Sequence, residues 1–299
     1  MSANKQNSIY MKTGDDNKRD MMVYRSWQAV GNTMQNPFLE PELVVKITKI
    51  DGTAVTDELV FHQNDTTKGN ELTGYFVAKA EGTYIATFYQ KAFTMNYGSG
   101  GDVFFGATWP ELTDVVVVNV TGTGQAPALD SGMTIYDEAM KANRPIDSEI
   151  DAFYYIYGKD DGYTFTFTPS EKVTSVYVYN PEIKDHNTPG ITKFTKVAGT
   201  PASGEWTVLL KEGRNIVEIS DGKNTVYQVL TAIPVKVTVN GLDINDPAAG
   251  FKQGQDNTVV FLNPYNNEIG GIYNLKSKLA GLYNSGATIF YGYENGDRV

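Results

Sequence analysis

The stretch "WTVLLKEGRNIVEISDGKNTVYQVLTAIPVKVTV", residues Trp206–Val239, constrains the fold more than any other part of the chain. Apolar and polar residues alternate through Trp206–Leu210, Asn215–Ile219 and Thr225–Leu230, which is the period of a strand with one buried face. Gly-containing turns at Glu212-Gly213 and Asp221-Gly222 separate these runs, so they read as successive antiparallel strands. The stretch carries no nucleophile with its base, no metal cluster and no phosphate loop. Its regularity points to scaffold and recognition rather than to bond chemistry.

The same signal extends over most of the chain. Leu43–Ile47, Glu58–His62, Gly74–Ala78, Thr83–Tyr89 and Asp114–Thr121 read as strands, with turns at Asp51-Gly52 and Glu81-Gly82. They define a first β-domain at 40–123, preceded by a polar, Met-rich lead-in at 1–39 expected to be irregular. Residues 124–151 differ in composition. Ser131 or Thr134 is placed to cap a short helix through Lys141 that Pro145 would stop, so this segment is expected to be a connector between two sandwiches. A second domain at 152–233 shows short strands with turns every 8–12 residues, the spacing of a sandwich. Pro234 then opens a third unit at 234–299, whose last strand, "GATIFYGY", turns at Asn295-Gly296 and is left without a full return strand. An unpartnered strand exposes a row of backbone groups. The third domain is therefore expected to be either truncated or completed by another strand.

With 299 residues, 41% of them hydrophobic and 20% charged, the chain has the balance of a folded protein with more than one core. A net charge of −10 with scattered Lys and Arg argues against nucleic acid or an anionic membrane as partner. Without a single Cys, disulfides, thiol nucleophiles and thiolate metal sites are excluded. The longest apolar run, "VVVVNV" at Val115–Val120, is strand-sized, so no membrane insertion is expected. The Thr-, Asn-, Gly- and Tyr-rich strands favour an exported protein whose signal sequence has been removed, at the cell surface or outside the cell.

Two short matches suggest internal repetition. "EGTYIATF" at 81–88 and "EGRNIVEI" at 212–219 share Glu, Gly and Ile at the same offsets, and "VYVYNP" and "VVFLNP" are similarly alike. "GYTFTFTPSEKVTSVYVYNPE" followed by "GEWTVLLKEGRNIVEISDGKNTVYQVLTA" resembles the immunoglobulin-like and cadherin-like β-sandwich repeats of bacterial cell-surface proteins. The resemblance covers about 80 residues well and about 80 more loosely, through a hairpin pattern L-x-x-G-x-N-x-I before a final Y-x-V strand. It implies an all-β chain of tandem immunoglobulin-like antiparallel sandwiches, the last incomplete. It carries no catalytic residue, and so implies a surface-displayed spacer or binding protein.

Candidate sites are few. His62 and His186 lack ligand neighbours and read as surface or loop residues. The acidic loops "GKDDG", "LDINDPAAG" and "YENGD" carry the oxygens that calcium takes, yet Asp, Asn and Gly also fill turns for backbone reasons alone. The turn reading is the stronger, and the best calcium candidates are Asp243, Asn245 and Asp246. A glycosidase would need two carboxylates in a cleft. Among 35 acids no motif nominates a pair, so the chain is read as not an enzyme.

Aromatics, with 19 Tyr, 14 Phe and 3 Trp, are the most suggestive feature. They fill sandwich cores, but exposed Tyr and Trp also stack on sugars and contact proteins. The Gly-rich segment "NYGSGGDVFFGATW" is expected to be a flexible binding loop, with Tyr97, Asp102 and Trp109 as ligand-binding candidates. The resulting reading is a non-catalytic surface or secreted protein with spacer sandwiches and loops that bind a glycan or protein. The rival is a self-assembling subunit of a surface layer, filament or phage particle, associating by strand addition at its unfinished C-terminal sheet.

Overall fold

A computed structural model describes residues 7–15, 21–25, 43–63, 71–90, 93–99, 102–109, 112–137, 139–148, 151–169, 173–182, 193–262 and 288–292. Every helical or extended element among them is a strand. Two compact units divide the chain: Met1–Ala126 with Lys184–Lys193, and Pro127–Ile183 with Phe194–Val299.

In the first unit, β1 (Ser8–Lys12), β9 (Leu112–Thr121), β6 (Gly82–Gln90) and β3 (Leu43–Lys49) form one sheet in that order. β1 runs parallel to β9 and the other pairs are antiparallel. β2 (Met21–Arg25), β5 (Glu71–Ala78) and β4 (Leu59–Gln63) form the second sheet. β7 (Phe93–Ser99) and β8 (Asp102–Trp109) pair with each other between β6 and β9. The period-2 pattern explains the core. Met11, Phe76, Tyr84, Ala86, Phe88, Val116, Val118 and Val120, all from inward positions of these strands, meet in one cluster.

The second unit repeats this plan. Its larger sheet contains β12 (Ala152–Ile156), β14 (Ser175–Pro181), β15 (Phe194–Ala198), β18 (Gly213–Ser220) and β19 (Thr225–Val239). β12 is parallel to β19, and β19, β18, β14 and β15 follow as antiparallel neighbours. β13 (Tyr163–Phe167), β17 (Glu205–Leu210) and β16 (Thr200–Ala202) form the facing sheet. Phe153, Phe165, Phe167, Val176, Val208, Leu210, Val217, Ile219 and Leu230 fill the space between. β2, β5 and β4 oppose β3, β6 and β9 in the first unit, and β13, β17 and β16 oppose β14, β18 and β19 in the second, where β15 adds one strand beside β14. That is the B-E-D against C-F-G arrangement of the immunoglobulin fold. The chain is therefore an all-β protein of immunoglobulin-like sandwiches.

The repeated motif lies at the same place in each unit. Tyr84 and Asn215, the fourth residues of "EGTYI" and "EGRNI", both enter the strand leading back from the corner between the two sheets. The Tyr84 hydroxyl is fully buried within 3.1 Å of the Ala80 carbonyl and 3.2 Å of the Glu58 carboxylate. Burial, and then Glu58, push its pKa up to about 12. Fully buried Asn215 accepts from the Lys211 N–H (2.9 Å) and donates to the Lys211 carbonyl (2.7 Å) and the Gly213 carbonyl (3.0 Å). Two different side chains thus close the same corner.

Four expectations are corrected. The lead-in at 1–39 contributes β1 and β2, because Ile9 and Met11 alternate onto the core of the first sandwich. The helix expected over 131–141 is instead a hairpin of β10 (Thr134–Asp137) and β11 (Ala142–Pro145). Met133 and Ile135 are buried while Tyr136 is exposed, a period of two. One Asp137 carboxylate oxygen accepts from Ala139 N–H (2.9 Å) and Met140 N–H (3.0 Å), and Lys141 reverses the chain at φ +50°. The boundary expected at Pro234 is crossed by β19 without a break. The ladder to β18 ends at Ala232, so the missing Pro N–H interrupts nothing there. Finally, the Gly-rich loop around Tyr97 is the β7–β8 ribbon. Its run Phe-Thr-Met-Asn-Tyr alternates as a strand does, and Gly98 lies at the shift in register near the end of the ladder.

Beyond Pro234 the strand continues into β20 (Leu242–Asp243), β21 (Thr258–Leu262) and β22 (Thr288–Gly292). Ile233, Val235, Val237 and Val239 form, with Ala152, Tyr154 and Val259, a second core on the opposite face of β12. The two faces of β12 thereby join this segment to the second sandwich in one unit.

Candidate functional site

The β7–β8 ribbon bridges the sixth and last strands of the first sandwich, the position of a binding loop in immunoglobulin variable domains. Its register pairs Phe93 with Trp109, Thr94 with Thr108, Met95 with Ala107, Asn96 with Gly106 and Tyr97 with Phe105. Side chains alternate across a strand, so Phe93, Met95, Tyr97, Phe105, Ala107 and Trp109 share one face. Thr94, Asn96, Gly106 and Thr108 share the other. Two of the candidate binding residues, Tyr97 and Trp109, therefore share a face, four residues apart along the ribbon, or about 13 Å. Asp102 pairs with Ser99 at the tip, beyond the shift in register after Tyr97. Such a face, without a charge and with aromatics on two of three rungs, has the composition of an interface core.

The calcium candidates lie together in one turn. An Asp243 carboxylate oxygen accepts from the Asn245 N–H (2.8 Å), and one of Asp246 accepts from the Ala248 N–H (2.8 Å). The Asn245 amide donates to the Tyr157 carbonyl (2.9 Å), which ties this loop to the "GKDDG" loop. In these bonds all three side chains shape backbone. Among the described residues no three His, Cys, Asp or Glu side chains converge as a metal ion requires. His62 stacks on Tyr75, with ring centroids 5.2 Å apart. His186 and the "YENGD" loop lie outside the described residues.

Two polar groupings escaped sequence reasoning. The Arg144 guanidinium grips the buried Asp151 carboxylate with two bonds (2.7 and 2.6 Å) and reaches Asp137 through Nε (3.0 Å). Backbone donors, Met140 first, and then Arg144 hold the Asp137 carboxyl below its usual range. Ser148, fully buried, donates to the Val229 carbonyl, and Arg214 donates to the Ser148 carbonyl (2.6 Å). Together these fasten the β10–β11 hairpin to the sandwich. In the second grouping the Lys196 ammonium lies 4.1 Å from the ring centre of Tyr177 and 3.2 Å from Glu218, which also accepts from the Tyr179 hydroxyl (2.6 Å). The regular seven-residue spacing of Asp137, Arg144 and Asp151 was the only signal in the sequence.

No known family model matches the chain, and no curated protein matches it by sequence. Among solved structures it is similar to titin Ig tandem domains at 9% identity, over 64% of this chain and 80% of that one, with a TM-score of 0.22. A chimeric titin Z1Z2 tandem gives 14% identity over 75% and 94% of the two chains, at 0.20. The N-terminal eight Ig domains of Down Syndrome Cell Adhesion Molecule give 13% over 67% of this chain and 21% of that one, at 0.18. The assignment to immunoglobulin-like sandwiches rests on the strand order given above.

Proposed function

We propose that this chain is a non-catalytic binding protein of the cell surface or the secreted space, probed by its partners at the β7–β8 ribbon. The sandwiches act as spacers and hold the ribbon. Its face of Phe93, Tyr97, Phe105 and Trp109 stacks on a glycan or packs on a protein, with Asp102 as an acceptor at the tip. The observation that carries this reading is the register that gathers the aromatic residues on one side. The exported setting rests on the Thr-, Asn-, Gly- and Tyr-rich strands.

The test is a glycan array, followed by a display library of extracellular proteins, probed with the wild type and with Tyr97→Ala/Trp109→Ala. Specific binders that the double variant loses are the expected result. Binders held equally by the variant, or none in either screen, would overturn the assignment.

The second reading, a self-assembling subunit, is favoured by one feature: among the described residues the large sheet of the second unit ends in β15 on one side and β22 on the other. Open-ended growth in light scattering would bring it forward.

A further inference from the structure

The smaller sheet of the second unit has an edge that the usual sandwich covers. In an A-B-E-D sheet the first strand pairs with the second. Here β12 lies in the opposite sheet beside β19, and the segment before it passes Gly132 against the Thr168 backbone at the end of β13 and then folds on itself as β10–β11, which leaves the edge open before Thr168. Among the described residues β13 pairs with β17 alone, and no turn or loop backbone bond reaches Thr164–Phe167.

Exposed edges are normally blunted by charge, proline or a bulge. β13 has none of these. From Gly162 to Ser170 there is no charged residue, the only proline is Pro169, and the register to β17 is uninterrupted. Phe165 and Phe167 enter the core, while Thr164 and Thr166 are exposed. The Thr166 hydroxyl lies 2.9 Å from that of Thr207, and Thr207 pairs with Thr200 on the next strand. A rung of threonines thus crosses the sheet and stops at the open edge.

We propose that the β13 edge docks a second copy of this chain, joining two three-stranded sheets into one six-stranded sheet about a two-fold axis. Antiparallel pairing centred on Phe165 sets Thr164 opposite the partner's Thr166 and Tyr163 opposite the partner's Phe167. The alternation of Thr and aromatic residues is its own complement in this register, so both cores stay on one side of the joined sheet and the threonine rung continues across the axis. A second copy suits this edge better than a charged peptide. Two chains of net charge −10 repel, and they meet most easily along an uncharged strand. The contact is isologous and closes at two chains. It is independent of the ribbon.

The experiment is sedimentation velocity on the full chain over a concentration series, with Thr164→Lys/Thr166→Lys, Thr164→Glu/Thr166→Glu and their equimolar mixture. Both positions are exposed, and circular dichroism checks that each variant is folded. Expected are a wild-type dimer, at least a tenfold rise in dimer Kd for each variant alone, and recovery of a dimer in the mixture. A wild type that stays monomeric, a dimer that the Lys variant leaves untouched, or open-ended growth would each overturn the proposal. Should a variant fail to fold, hydrogen exchange on dilute and concentrated wild type decides. Slower exchange at β13 upon concentration supports the docking edge, and unchanged exchange there refutes it.

Discussion

Replacing Asn215 with Ala removes the group that closes the corner of the second sandwich. Five bonds converge on this amide: from the Lys211 N–H, from the Asn180 amide (2.8 Å), and to the carbonyls of Lys211, Gly213 and Leu230. Asn180 keeps a bond to the Leu209 carbonyl (2.9 Å), and the Leu230 contact is long at 3.4 Å, so both lose little. The Lys211 N–H and C=O lose their side-chain partner, at about 1–3 kcal/mol for each group left unsatisfied. With the small void added, the cost is about 3–5 kcal/mol, a large share of the roughly 5–15 kcal/mol that stabilises a domain. Scanning calorimetry would show it as a fall of about 6–20 °C in the transition of the second unit. The transition of the first unit should not move, and a double-mutant cycle with Asn180→Ala should return a coupling of about 1 kcal/mol or more. A loss under about 1 kcal/mol, or an equal shift of both units, would refute the role given to Asn215.

Tyr84→Phe in the first unit deletes only a hydroxyl and should cost about 1 kcal/mol at pH 7, read by urea melts. Because the folded pKa of Tyr84 is raised to about 12, its contribution is full below pH 10 and lost as the pH rises from 10 to 12. The wild type should therefore weaken over that window more than the variant. Gly132→Ala should cost about 2–4 kcal/mol in the same assay: the residue sits at φ +69°, and an added Cβ would lie 2.2 Å from the Thr168 carbonyl oxygen. Asp221 accepts from the N–H groups of Asn224 and Lys223, which lower its pKa to about 2. Its stabilising effect is present above about pH 4 and lost as the pH falls toward 2, so the gap between wild type and Asp221→Ala should narrow over that window in acid melts.

Period-2 alternation made the strands legible, since each sandwich strand buries one side and leaves the other to solvent or to a second layer. The shared "EG" corner was also visible, although the sequence could not tell that Tyr84 and Asn215 do one job with different atoms. The failures have a common cause. "SGMTIYDEAMK" carries a cap residue and helix formers, and the seven-residue spacing of Asp137, Arg144 and Asp151 does not by itself say that Arg144 binds both carboxylates and holds a hairpin in place. Pro234 reads as a boundary because the end of the neighbouring ladder is a tertiary fact. In the ribbon, glycines at Gly98, Gly100, Gly101 and Gly106 outweighed a regular alternation on either side, so a strand pair was read as a loop. The acids of the Asp243 turn were legible as turn formers, which is the work their bonds do.

The account turns on the ribbon register, because it gathers Tyr97 and Trp109 on one face. The chain has no Cys, so an introduced pair reports on that register without competition. Thr94 and Thr108 are paired in the register, at positions of the opposite parity from the aromatics. Directly opposed residues have Cα atoms about 4.5–5.5 Å apart, within disulfide reach. The measurement is the extent of oxidation, by mass spectrometry, of Thr94→Cys/Thr108→Cys beside the one-residue slip Thr94→Cys/Ala107→Cys. Near-complete cross-linking of the first pair and little of the second is the expected result. Equal cross-linking of the two, or none in the first, would contradict the shared face and the binding role built on it.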